Sequence, residues 1–116
     1  MYINGEWISA NSGRLFDVFN PADGELIGEV PDGGRKDATR AIQAAGEAFQ
    51  TWSRTTAYQR SAYLYEAYRI MMERREDLAR TMTMEQGKPL KAARNEVQYG
   101  ADFLLWFAEE AKRIYG

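Results

Sequence analysis

Leu26-Ile27-Gly28-Glu29-Val30-Pro31-Asp32-Gly33-Gly34-Arg35-Lys36-Asp37-Ala38-Thr39-Arg40-Ala41-Ile42 is where one kind of chain gives way to another. Leu26 to Val30 is a short apolar run with the length and residue types of a strand, and Pro31 through Gly34 end it. From Arg35 the period changes. Ala38, Ala41, Ile42, Ala45, Phe49 and Trp52 recur at the spacing of one helix face, and the alanines imply close packing against another element. Charge and glycine usage change at the same place. Residues 1–34 carry six acids and one base, with six of the ten glycines and two of the three prolines. Residues 35–80 carry nine bases and six acids, and residues 81–116 five of each. Residues 1–34 therefore read as strands and turns, and 35–116 as helical: an α+β chain, with short β-hairpins at the amino terminus followed by three to four helices.

Toward the amino terminus, Asn4-Gly5 separates Tyr2-Ile3 from Trp7-Ile8, and Asn-Gly supplies the two positive-φ residues of a type I′ hairpin turn. Asn11-Ser12-Gly13 turns the chain again before a second short strand, Leu15 to Phe19. Asn20-Pro21-Ala22-Asp23-Gly24 then forms a turn in which Pro fixes an early φ and Gly takes the left-handed position. Toward the carboxyl terminus, Thr55 or Thr56 can cap a second helix whose apolar stripe is Tyr58, Ala62, Tyr65, Tyr68 and Met72. A break near Arg74-Arg75-Glu76-Asp77 leads to a stop at Gly87. Pro89 suits the first position of a last helix. Its stripe of Leu90, Ala93, Val97, Ala101, Leu104, Ala108, Ala111 and Tyr115 runs about 40 Å if helical from 89 to 115. Phe103, Trp106 and Phe107 widen the apolar surface beyond one face, so this helix wants more partners than a small bundle supplies.

The 116 residues contain neither Cys nor His, and net charge is −2. These absences remove disulfides, thiolate metal sites, a Cys nucleophile and the commonest general base. The charge argues against a nucleic-acid binder, and no apolar run approaches bilayer length, so no membrane partner is expected. With no secretory leader at the start, a cytoplasmic setting is expected. Gly87-Lys88 fails the spacing of a phosphate loop, and the other glycines do not fit a dinucleotide fingerprint. Glu85 and Glu96 are the carboxylates worth weighing for acid–base work, against the plainer reading of solvated helix charges. Arg54, Arg60, Arg69, Arg74, Arg75 and Arg80 interleave with Glu66, Glu73, Glu76 and Asp77, a pattern of ion pairs along helices. Tyr58, Tyr63, Tyr65 and Tyr68 read as core at this spacing. The residues themselves show a soluble α+β domain and no active site.

Several stretches, taken in order, nevertheless resemble one family. Tyr2-Ile3-Asn4-Gly5-Glu6-Trp7, Phe19-Asn20-Pro21-Ala22-Asp23-Gly24-Glu25, Ala48-Phe49-Gln50-Thr51-Trp52 and Glu85-Gln86-Gly87-Lys88-Pro89 are similar to the amino-terminal signature of the NAD(P)-dependent aldehyde dehydrogenases. The run Trp106 to Gly116 looks most like the succinate-semialdehyde dehydrogenase branch. The resemblance is collinear over the whole chain. It implies that residues 1–116 are the amino-terminal part of the cofactor-binding domain of an α/β enzyme, as a fragment with no catalytic or cofactor-binding residue of its own. In that family the oxyanion-hole Asn, the Gly-rich turn, the general-base Glu and the Cys nucleophile come later. The family reaction is thiolate attack on the aldehyde, hydride transfer to NAD or NADP, and thioester hydrolysis.

The resemblance further implies a monovalent cation held through the backbone carbonyls of Val18 and Phe19 and by the acid at Glu85, where some relatives have Asp. It implies substrate-tunnel lining by Tyr99 and Phe103, a small aldehyde as substrate, and a homo-oligomer. The remainder of the parent polypeptide would be the partner of this chain. A competing expectation is a freestanding helical interaction or oligomerisation module without catalysis, self-associating through the face around Leu104, Trp106 and Phe107.

Overall fold

The computed structural model describes residues 1–114. They fall into two compact units, one of Met1–Phe19 with Gly24–Arg54, the other of Asn20–Asp23 with Thr55 onward. All strands precede residue 32 and all helices follow residue 34, so the α+β order expected from the Pro31–Gly34 junction is the order found.

The first unit holds two separate two-stranded antiparallel sheets. Strands β1 (Tyr2–Ile3) and β2 (Glu6–Trp7) pair Tyr2 with Trp7 and Ile3 with Glu6. The connecting Asn4 and Gly5 have φ of 54° and 82°, the two left-handed positions a type I′ turn requires. The Tyr2 and Trp7 rings lie 5.2 Å apart, a cross-strand aromatic pair of the kind that steadies short hairpins. Strands β3 (Leu15–Phe19) and β4 (Leu26–Pro31) pair from Leu15 opposite Pro31 to Phe19 opposite Leu26, with a register shift between Val18 and Phe19. Helix α1 (Arg35–Trp52) follows.

Ala41, Ala44, Ala45 and Ala48 of α1 face the β1 turn across a shallow groove lined by Tyr2 to Gly5. The rest of the expected α1 stripe finds no cover. Ile42, Phe49 and Trp52 stay exposed, as does Ala38. The β1 strand that α1 meets in its own unit is two residues long, too short to bury a five-turn helix face.

Asp37 ties this unit together, and no pattern in the sequence points to its role. It sits at the third position of α1, only 7 % exposed. Its Oδ2 accepts from the Gly34 N–H and its Oδ1 from the Asn11 N–H, both at 2.9 Å. One carboxylate thus closes the start of α1 and pins the Asn11 turn. The N–H donors of Gly34, then Asn11, hold its carboxyl below the usual 3.8 against a smaller opposing effect of burial. A lowered native pKa contributes stability that is complete above the unfolded value and fades as pH falls through the native one. Asp37→Ala is therefore expected to lower Tm on the order of 5 °C at neutral pH. The gap between variant and parent should close as pH drops below about 4, as read by circular dichroism melts across pH.

The second unit contains α2 (Ala57–Glu73), α3 (Arg75–Gln86), α4 (Leu90–Glu110) and a 3-10 turn (Ala111–Arg113). Thr56, not Thr55, caps α2: its Oγ1 accepts from Gln59 N at 3.2 Å while Gln59 Oε1 accepts from Thr56 N at 2.9 Å, a reciprocal capping box. Arg74 (φ −97°, ψ 16°) interrupts the helical path between α2 and α3. Gly87 ends α3 in the left-handed region at φ 71°, donating its N–H to Thr83 O at 2.9 Å. Pro89 stands at the cap of α4 rather than at its first helical position, with its carbonyl accepting from Ala93 N at 3.0 Å. The helix is 21 residues long, about 31 Å, shorter than the continuous pattern to residue 115 suggested. Tyr115 and Gly116 lie outside the described residues.

The core of this unit is made of small residues. Ala79, Ala93 and Val97 are buried with Met71, Leu78, Met82 and Leu90 packed around them. Ala101 and Ala108 continue the buried line along α4, as the stripe read from sequence required. Such a line lets neighbouring helices approach closely. The α2 stripe is placed differently. Tyr58 and Tyr65 are exposed, as is Tyr63, and the face turned inward centres on Ser61, 3 % exposed, with Leu64, Tyr68 and Met71 partly covered. The tyrosines drew the phase toward themselves, whereas the close approach of α2 and α4 admits a serine.

Across α3 and α4, Arg94 grips Glu76 with two hydrogen bonds of 2.8 Å, and Arg75 Nε donates to the Arg94 carbonyl at 3.2 Å. Arg69 pairs with Glu66 and Glu73, and Arg80 with Glu76, at the spacings expected along helices.

Candidate functional site

Tyr99 and Phe103 lie on the same exposed face of α4, four residues apart. Their rings meet edge to face, with centroids 4.8 Å apart and planes at 87°, a favoured aromatic geometry. Phe103 in turn stacks near Phe107 at 6.3 Å and 15°. With Trp106 and Asp102 these residues line an open, largely apolar groove. Trp106 is 64 % exposed. Asp102 accepts a hydrogen bond of 2.9 Å from Gln98 Nε2. The helix pattern puts Phe103, Trp106 and Phe107 on a widened apolar surface without joining them to Tyr99. The spacing of 99, 103, 106 and 107 is the signal that joins them.

Such a row can wall an apolar passage or meet another apolar surface. Asp102 is the one charged side chain among the residues that line the groove.

Val18 and Phe19 adjoin the register shift in β3, where regular ladder pairing is interrupted. Glu85 is an exposed residue in the last turn of α3. The first two belong to one unit and Glu85 to the other. Glu96 pairs with Lys88 and stands apart from any acid–base arrangement. Among the described residues, no three or more acidic side chains gather as a metal site.

Residues 7–116 match the model of the Aldehyde dehydrogenase family. The chain belongs to that family. This aldehyde dehydrogenase chain is 54 % identical over 115 residues to the glutarate-semialdehyde dehydrogenase of Pseudomonas putida, covering 99 % of the chain and 24 % of the relative. It is 51 % identical over 114 residues to the NADP(+) succinate-semialdehyde dehydrogenase of Escherichia coli, covering 98 % and 24 %. Among solved structures, a crystal structure of an Escherichia coli NADP dependent enzyme superposes with a TM-score of 0.96 at 50 % identity, over 98 % of this chain and 24 % of that one. The aldehyde dehydrogenase chain thus spans 24 % of the length of these curated relatives. Among its described residues no helix is long and apolar enough to cross a membrane.

Proposed function

We propose that residues 1–116 form the amino-terminal part of the cofactor-binding domain of an NAD(P)-dependent aldehyde dehydrogenase that oxidises succinate semialdehyde to its dicarboxylic acid. The observation that carries this reading is identity above 50 %, across nearly the whole chain, to two dehydrogenases named for semialdehydes that bear a carboxylate.

The dinucleotide, when bound, accepts the hydride. In this reading the described residues do not build its cradle. The Gly33-Gly34 turn between β4 and α1 has the strand–turn–helix form that elsewhere holds phosphate. Here the Asp37 carboxylate already takes the N–H groups of Gly34 and Asn11, and a fixed negative charge there repels a phosphate. Binding of NAD or NADP falls to other residues of the whole protein, which is homo-oligomeric and cytoplasmic in this reading. Tyr99 and Phe103 border the path of the aldehyde, their edge-to-face rings giving a rigid apolar wall. A monovalent cation associated with Val18, Phe19 and Glu85 belongs to the same proposal and rests on the family resemblance.

The test has two arms. The 116-residue chain, given succinate semialdehyde with NAD or NADP, is expected to form no reduced nicotinamide, while the whole protein turns over. Reproducible turnover by the chain alone, or none by the whole protein, overturns the proposal. The exposed Tyr99–Phe107 row keeps a second reading in view, a freestanding interaction module. That reading requires the chain to self-associate through α4 and the whole protein to be inactive.

A further inference from the structure

We draw no further inference here: the strongest candidate, the aromatic groove along α4 lined by Tyr99, Asp102, Phe103, Trp106 and Phe107, belongs to the site already described, and nothing in the structure shows what covers it.

Discussion

Val97→Asp is expected to unfold the helical unit. Val97 is 2 % exposed and sits between Ala93 and Ala79 in the core shared by α3 and α4. A carboxylate there has no base within the cluster to pair with, so it must either ionise in an apolar site or carry a proton at neutral pH. We expect a loss of about 3–5 kcal/mol, a large share of the roughly 5–15 kcal/mol that holds an ordinary domain folded. Urea titration followed by circular dichroism checks it: the midpoint should collapse or the helical signal vanish without denaturant. Val97→Ile, which keeps the chemistry and adds one methylene, should cost about 1–3 kcal/mol, less than the buried carboxylate. A Val97→Asp variant as stable as the parent would mean that the α3–α4 core is not what organises this unit.

The second large effect is expected at Gly87, where two constraints coincide. Its φ of 71° is the left-handed region that ends α3, disfavoured by about 1–2 kcal/mol for a residue with a side chain. A Cβ built there would also stand 3.1 Å from Pro21 Cγ, within the same unit. Gly87→Val adds a branched side chain to both problems and should cost about 2–4 kcal/mol. Gly87→Asn separates the two, because Asn tolerates the left-handed conformation while still meeting Pro21. Combining each variant with Pro21→Ala in a double-mutant cycle measures the contact directly. If Pro21→Ala recovers nothing from Gly87→Val, the cost is backbone strain alone.

These two positions also show what could be read from the sequence. Gly87 before a proline-started helix is a local signal, and so is Asn4-Gly5; each needs only the conformational limits of its own residues, and both turned out as expected. The α4 stripe was legible because one long helix repeats its pattern over five turns, enough to fix which side is buried. The α2 face was not. Its four tyrosines offer a plausible apolar stripe, yet the face that packs is marked by Ser61, and only the closeness of α4 explains why a small polar residue lies innermost. The α1 stripe was real as a pattern but meets in its unit only the two-residue β1 and its turn.

Asp37 escaped notice for a related reason. The familiar capping pattern begins with Ser or Thr, whereas here Gly34 has no side chain to offer, and the second N–H comes from Asn11, far away in sequence. The aromatic row of α4 was half legible. Tyr99 entered through the family resemblance alone, Phe103 through the resemblance and the helix pattern, and Trp106 and Phe107 through the helix pattern; only the helix shows them as one line. Val18 and Phe19 were named as cation ligands from resemblance alone, and Glu85, also weighed as a carboxylate in its own right, joined them only through it; no periodicity or spacing in this chain ties the three together.

The reading of this chain as part of a semialdehyde dehydrogenase is tested most directly by substrate discrimination in the whole protein. Initial rates with NAD and with NADP would be compared for succinate semialdehyde, glutarate semialdehyde and butanal, the last lacking the distal carboxylate. Selectivity built on a charged group reaches several orders of magnitude when the site's own charges are left unpaired by the wrong substrate. We expect kcat/KM for succinate semialdehyde to exceed that for butanal by at least about a hundredfold. Equal values for the two aldehydes, or no oxidation of any of them, would contradict it.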